Sequence, residues 1–263
     1  MPFEPRPLGR TGILTGALGL SASYGAPAES VEFAFDHGIN YMYWGSRRTG
    51  AFAEGLRRLA PKRDRYALVI QTYSPSAWLI PGSLDKALRR IGTDYADVLL
   101  LGMWNRPVPD RILDVCRQLK RQGKIRHIAV STHNRKLVPQ MAALPELDIF
   151  HVRYNAKHTG AEREIFPLLP GENRQGIVSF TATSWKQLLN PKKVPPGDRT
   201  PTAGDCYRFV LSNPSVDVCM TGPGNMDHVR ELAGTLERGP MSREELAWIR
   251  RVGGYMYGGG NGH

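Results

Sequence analysis

Short apolar segments alternate with amphipathic segments along almost the whole chain, and this alternation restricts the fold more than any other feature. The apolar segments lie at residues 17–23, 41–43, 66–73, 98–102, 125–131, 148–154, 176–182 and 216–222. Between them, apolar residues recur every three or four positions, which is the spacing of a helix with one buried face. The segment VLLLG at 98–102 is apolar throughout, as is typical of a strand that a parallel sheet buries on both faces.

About eight strand–helix units in a chain of 263 residues predict a single (β/α)8 barrel, or TIM barrel, and not an open doubly wound sheet. We expect the barrel domain to span residues 1–257 and the glycine-rich tail at 258–263 to be disordered. Ser83 is predicted to cap a helix over 83–92. Ser242 and Glu245 have the spacing of a capping box, which predicts the start of the last helix.

The chain is basic, with 35 Lys and Arg residues against 24 Asp and Glu residues. These cations recur on the polar faces of successive helices and form no tract interleaved with aromatic residues, so we predict no binding to nucleic acid. We also predict a cytoplasmic protein without membrane contact, because no stretch approaches 18 apolar residues and the N-terminus lacks the apolar core of a signal peptide. The partner expected from the sequence is a small-molecule ligand, and the oligomeric state stays open.

The residues that usually bind metals or form disulfides are poorly placed for either role. Cys116, Cys206 and Cys219 are far apart, and no CxxC pair occurs. Three histidines follow the fifth and sixth strands, but no carboxylate accompanies them at ligand spacing. We therefore predict neither a disulfide framework nor a metal site.

Functional residues of a TIM barrel lie at the C-terminal ends of its strands, and this chain places aromatic, basic and amide side chains there. Phenol hydroxyls can act as general acids, and an arginine beside one would lower its pKa or bind an anionic group. The candidates for proton transfer are Tyr43, Tyr73, Arg48, His133 and His151. The candidates for substrate contact are Tyr24, Trp44, Arg47, Trp104, Asn105, Arg153, Asn155 and Trp185.

Several stretches, in this order, resemble the aldo-keto reductase superfamily. They are PLGRTGILTGALGL at 7–20, FDHGINY at 35–41, GTDYADVLLL at 92–101, GKIRHIAVS at 123–131, VRYN at 152–155 and NPSVDVCMTGP at 213–223. The resemblance implies a TIM barrel whose floor is closed by an N-terminal β-hairpin. It also implies carbonyl reduction with a nicotinamide cofactor, through a tetrad of Asp, Tyr, Lys and His.

The resemblance places Tyr43, Arg48, Tyr73 and Gly102 at the four tetrad positions, and none of these is the residue type that the family uses. Small shifts of the alignment do not restore the tetrad, because no Asp or Glu lies between residues 37 and 53 and no Lys lies between residues 1 and 61. The family's proton relay is therefore not expected to operate in this chain.

The cofactor contacts that the resemblance implies are altered as well. Ser131 keeps one contact to the nicotinamide amide, whereas His151 stands where the family has a glutamine. After the eighth strand, Gly222 permits close approach of a phosphate, and Gly224 precedes a helix whose free N–H groups suit an anion. Asn225 supplies no cation for the phosphate of NADP(H), although Arg230, one turn into the helix, could substitute for it.

Three hypotheses stay open from the sequence. The first is an enzyme with a rebuilt active site that acts on a small molecule, including an anionic one. The second is a non-catalytic protein that binds a small molecule or a nucleotide and has a regulatory role. The third is an NADPH-dependent carbonyl reductase in which the acid has moved to Tyr43 or Tyr73.

Overall fold

The computed structural model describes residues 2–45 and 50–258 and contains a closed barrel of parallel strands. Each barrel strand pairs with the next one along the chain, and the last pairs with the first. The predicted (β/α)8 barrel is thus confirmed. The barrel strands are β3 (Leu18–Ser21), β4 (Tyr41–Trp44), β5 (Ala67–Thr72), β6 (Ala96–Leu101), β7 (Ile125–Thr132), β8 (Leu147–Arg153), β9 (Gly176–Phe180) and β10 (Val218–Thr221).

Helices surround the barrel and connect its strands. The α-helices of the described residues are α1 (Glu29–Asp36), α2 (Gly50–Arg58), α3 (Leu79–Ile91), α4 (Asp110–Arg121), α5 (Leu137–Met141), α6 (Ala161–Glu164), α7 (Ala203–Leu211), α8 (Met226–Arg238) and α9 (Arg243–Gly258). None of them is long and apolar enough to cross a membrane. Residues 259–263 of the predicted tail lie outside the described residues.

Two predicted helix starts have different outcomes. The capping box before α9 is confirmed, because Glu245 N donates to Ser242 Oγ at 3.2 Å and Ser242 N donates to Glu245 Oε2 at 2.8 Å. The prediction that Ser83 caps α3 is wrong, because this helix begins one turn earlier, at Leu79. Ile80 is fully buried and extends the apolar face of the helix toward its N-terminus. Pro81 is tolerated there, because it lies in the first turn.

The N-terminal hairpin closes the floor of the barrel. It consists of the antiparallel strands β1 (Arg6–Pro7) and β2 (Leu14–Thr15). Leu8, which follows β1, is fully buried and belongs to the cluster of apolar side chains inside the barrel. The floor of the barrel is therefore filled by apolar side chains.

Three buried aspartates link neighbouring strands near their N-terminal ends. Asp97, Asp148 and Asp217 each accept a hydrogen bond from a backbone N–H of the adjacent strand, at 2.9, 3.3 and 2.8 Å respectively. Each also has an arginine within ion-pair distance, and Arg174 makes two hydrogen bonds to Asp217, at 2.6 and 2.8 Å. These aspartates and arginines therefore stabilise the N-terminal end of the barrel and do not contribute to its C-terminal end.

The pair of Asp217 and Arg174 gives a direct test of this bracing. We expect Asp217→Asn to lower the free energy of unfolding by about 3 kcal/mol, because it leaves a partly buried arginine without its carboxylate. Denaturant unfolding measures the change. Asp114→Asn is the matched control, since it makes the same chemical change in an exposed pair with Arg117. Equal effects of the two substitutions would contradict the bracing role.

Candidate active site

A cavity of about 850 Å³ opens at the C-terminal mouth of the barrel. Part of its lining comes from strands, through Ser21, Tyr43, Gln71, Ser131, His151 and Met220. Loops at the mouth supply Tyr24, Tyr73, Met103 and Trp185 to the remainder, and helix α7 supplies Tyr207. The cavity thus combines polar groups on the strands with aromatic and apolar walls, which is the usual composition of a small-molecule site.

The alternation of side chains along a strand decides which residues reach this cavity. Tyr43 points into the barrel and lines the cavity, whereas Trp44, the next residue, points outward. Trp44 is fully buried between barrel and helices, and its ring centroid lies 6.3 Å from that of Phe52. This corrects the prediction that Trp44 contacts a substrate.

Three further predicted contact residues support the loops at the mouth and do not line the cavity. Trp104 is buried, and its backbone N donates to Ser131 O at 2.9 Å. Asn105 Oδ1 accepts a hydrogen bond from His133 N at 2.8 Å. Asn155 is fully buried, and its Nδ2 donates to a loop carbonyl at 2.8 Å. The structure therefore gives these three residues structural contacts in place of the predicted substrate contacts.

The other predicted residues divide into three groups. Tyr24, Tyr43, Tyr73, His151 and Trp185 line the cavity, as do Ser131, Gly222 and Gly224. His133 and Arg153 lie beside it, since the His133 ring packs edge-on against Phe180 of the lining, with ring centroids 5.4 Å apart. Arg47 and Arg48 lie outside the described residues.

A buried hydrogen bond joins Tyr41 to His151. The Tyr41 hydroxyl lies 2.8 Å from Nε2 of His151, and burial lowers the pKa of His151 to about 3, so the ring is neutral. Burial, with a smaller effect of Tyr43, raises the pKa of Tyr41 above its ordinary value. Since no other described residue accepts the Tyr41 proton, Tyr41 donates to Nε2 and the ring proton resides on Nδ1. His151 can therefore act as a hydrogen-bond donor to a ligand.

Tyr73 occupies the space in which a side chain at position 102 would lie. A Cβ atom on Gly102 would be only 2.7 Å from two ring atoms of Tyr73 and 2.5 Å from Nε2 of Gln71. The hydroxyl of Tyr43 donates to Oε1 of Gln71. The side chains at positions 43, 71 and 73 therefore fill this side of the mouth, and glycine is required at position 102 because any larger residue would displace them.

The loop after β10 was the predicted site for the phosphates of a nicotinamide cofactor, and its residues do not fit that group. The Tyr24 ring covers Gly222, where a Cβ would lie 2.3 Å from two ring atoms. The N–H of Gly224 donates to Nδ1 of His228 at 3.2 Å, so this donor is already used. Arg230 is paired with Asp227 at 2.8 Å on the exposed face of α8.

The charge around this loop also disfavours a nucleotide with several phosphates. Asn225 accepts the hydrogen bond of His228 N at 2.9 Å and thereby caps α8, and Asp227 follows in the first turn. Among the described residues that line the cavity, Lys186 is the one lysine or arginine, and Glu231 lines it too. The lining therefore offers little net positive charge.

Tyr41 and Gln71 are among the residues at the site that the sequence did not predict. Both lie on strands that had been located correctly, and both have the same parity as Tyr43 and Tyr73. Listing alternate residues of each strand, and not only its last residues, would have found them.

No group of three potential metal ligands occurs among residues 2–45 and 50–258.

A closed barrel with a cavity at the C-terminal ends of its strands defines the class of TIM-barrel proteins. The model of the Aldo/keto reductase family matches residues 28–203, which is more than half of the chain. The protein belongs to the aldo/keto reductase family.

Known relatives differ considerably from this chain in sequence. L-galactose dehydrogenase of Arabidopsis thaliana is 29% identical over 155 residues, which cover 49% of this chain and 48% of that protein. The chain thus spans about half the length of this curated relative. Two structures of aldo-keto reductase AKR11C1 from Bacillus halodurans, in holo and apo form, match with TM-scores of 0.78 and 0.77. Both are 20% identical and cover 95% of this chain and 96% of that chain, which shows a shared fold.

The neutral state of His151 predicts an effect of acid on stability. In the unfolded chain a histidine takes up a proton near pH 6.5, whereas folded His151 stays neutral down to about pH 3, so acidification favours unfolding. We expect His151→Gln to abolish this contribution, which amounts to roughly 3 kcal/mol at pH 4. The measurement is the loss of unfolding free energy between pH 7 and pH 4.

The control for this prediction is His37→Gln, because His37 is exposed and lies outside the cavity. The control should lose as much stability on acidification as the unmodified protein, and His151→Gln should lose less. If His151→Gln lost as much unfolding free energy between pH 7 and pH 4 as the control, His151 would not stay neutral in the folded protein, and the prediction would be wrong.

Proposed function

We propose that this protein is an enzyme that binds a small organic molecule in the mouth cavity and polarises a carbonyl oxygen of it, with Tyr73 as the proton donor. The observation that carries the proposal is the placement of Tyr73. Its ring fills the space in front of Gly102, it is half exposed, and it lines the cavity. Within the described residues its hydroxyl makes no hydrogen bond, so its proton is available to a ligand.

Tyr43 is less suited to be the donor. Its hydroxyl proton is directed at Oε1 of Gln71, and a ligand would have to compete for it. The same hydrogen bond fixes Gln71, whose Nε2 lies beside the Tyr73 ring at Gly102. Tyr43 is therefore proposed to position Tyr73 through Gln71.

Two further donors support binding of an oxygen atom. Nδ1–H of His151 is free to donate, as argued above from its hydrogen bond to Tyr41. Oγ of Ser131 accepts from Met103 N at 2.9 Å, which leaves the Ser131 proton for a ligand. Preorganised donors of this kind stabilise negative charge that develops on a carbonyl oxygen.

The altered loop after β10 leads us to propose that the chemistry does not depend on NADP(H). We expect no saturable binding of NADPH, NADP, NADH or NAD at concentrations up to about 1 mM, the upper end of the usual range of KM values. Isothermal titration calorimetry and cofactor fluorescence measure this. Micromolar binding of NADPH would instead support carbonyl reduction by a relocated tyrosine.

Exchange of α-hydrogens for deuterium is the test of the proposed chemistry, because proton donation to a carbonyl oxygen acidifies its α-hydrogens, and solvent can then remove one of them as the base. A panel of small aldehydes and ketones is incubated with the protein in D2O, and exchange is followed by proton NMR. We expect enzyme-dependent exchange for some of them, and a loss of about 10²-fold or more in Tyr73→Phe, which removes only the hydroxyl.

Tyr43→Phe is the matched comparison, since it removes the same atom from a tyrosine on the neighbouring strand β4 and should have the smaller effect. An equal or larger loss in Tyr43→Phe would shift the role of donor to Tyr43. Binding of panel members without any exchange above buffer would contradict the enzymatic proposal and favour the non-catalytic binding protein.

A further inference from the structure

Basic side chains gather where β7, β8 and β9 end at the mouth of the barrel. Val152 pairs with Thr132, and Arg153 pairs with Phe180, so Arg153 lies between the loop that carries His133 and the aromatic wall of the cavity. Arg135 and His158 complete this group, which we call the basic cluster.

Arg153 differs from Arg63, Arg174 and Arg208 because its charge is not compensated by a carboxylate. Arg63, Arg174 and Arg208 each form an ion pair with a carboxylate. Within residues 2–45 and 50–258, Arg153 forms no ion pair or hydrogen bond, and its Nε is buried without an acceptor. A buried cationic N–H without an acceptor is costly, and such a group favours an anion from outside the chain.

The groups around Arg153 do not supply the missing negative charge. Glu164 is bound to Arg135 at 2.9 Å, and Glu162 is bound to Arg250 at 2.6 Å. Burial and the charge of Arg153 lower the pKa of His133, and the same two causes, with burial the larger, lower the pKa of His158 to about 4.

The histidines of the basic cluster are therefore neutral near pH 7 and can donate a hydrogen bond without adding charge. Nδ1 of His133 is itself buried without a partner among the described residues. The cluster thus has one uncompensated positive charge, that of Arg153, and neutral polar groups beside it.

We propose that Arg153 binds a carboxylate group of the molecule that occupies the mouth cavity, and this inference rests on the proposed function. The planar fork of a guanidinium matches a carboxylate, and one uncompensated charge matches a monoanion better than a phosphate dianion. Arg153 pairs in register with Phe180, which lines the cavity, whereas Arg153 itself does not line it, so the ligand would place an apolar part against Phe180 and extend its carboxylate past the ring to Arg153. Arg153 is then a specificity-determining residue for small carboxylic acids.

The test compares 2-naphthoate with 2-naphthamide, two probes of nearly equal shape that differ in charge. Binding is measured by naphthalene fluorescence and by chemical-shift changes of the protein. We expect the intact protein to bind naphthoate about tenfold or more tightly than naphthamide, as is common for a charge-assisted hydrogen bond. Arg153→Gln should remove this preference and leave the affinity for naphthamide unchanged.

Two variants control for loss of structure and for general charge effects. Arg153→Lys keeps the charge and should keep part of the preference. Arg106→Gln removes an exposed cation that lies over the Trp104 ring, outside the cavity, and should keep the preference in full. The thermal unfolding of each variant establishes that it is folded.

The outcomes separate this inference from the proposed function. If naphthamide binds but naphthoate is not preferred, or if Arg153→Gln keeps the preference, the carboxylate site is refuted and the cavity proposal stands. If 2-naphthyl phosphate is preferred over naphthoate in a way that depends on Arg153, the inferred carboxylate class is wrong. If none of the probes binds, the carboxylate site is refuted, whereas the proposed function is judged separately by the exchange of α-hydrogens.

Discussion

Closure of the parallel barrel is the constraint on which the rest of the structure depends. Each strand must send alternate side chains into a confined interior, and the two ends of that interior then take different roles. At the N-terminal end, Leu8 fills the floor, and buried aspartates such as Asp217 join neighbouring strands through a backbone N–H and an arginine. These contacts lie at the floor, so they do not restrict which side chains the mouth can have.

The residues of the mouth depend on one another sterically. Tyr73 fits only because residue 102 has no side chain, and Gln71 is held in place by Tyr43. A histidine at position 102 would collide with the Tyr73 ring and with the Gln71 amide. Positions 43, 71, 73 and 102 thus form a single steric unit, in which a larger residue at position 102 would require changes in its neighbours.

The fold could be predicted from the sequence more completely than the site, for a physical reason. A barrel strand needs only an apolar segment of the right length, and all eight were located. A site depends on which way each side chain points, and a shift of one residue reverses that direction, as Tyr43 and Trp44 show. Asn155 illustrates a second difficulty, because an amide at a strand end serves a loop carbonyl as readily as a substrate.

The distribution of charge at the mouth argues for a smaller ligand than a dinucleotide. His151 is kept neutral by burial. Near the loop after β10, Arg230 is paired with Asp227, and the charge of Lys186 in the lining is balanced by that of Glu231. A nicotinamide dinucleotide phosphate carries several negative charges, which such a lining would not stabilise. The uncompensated charge of Arg153 lies beside Phe180, which lines the cavity, and suits one anionic group. A carbonyl compound with one carboxylate would satisfy both the donors on the strands and this arginine.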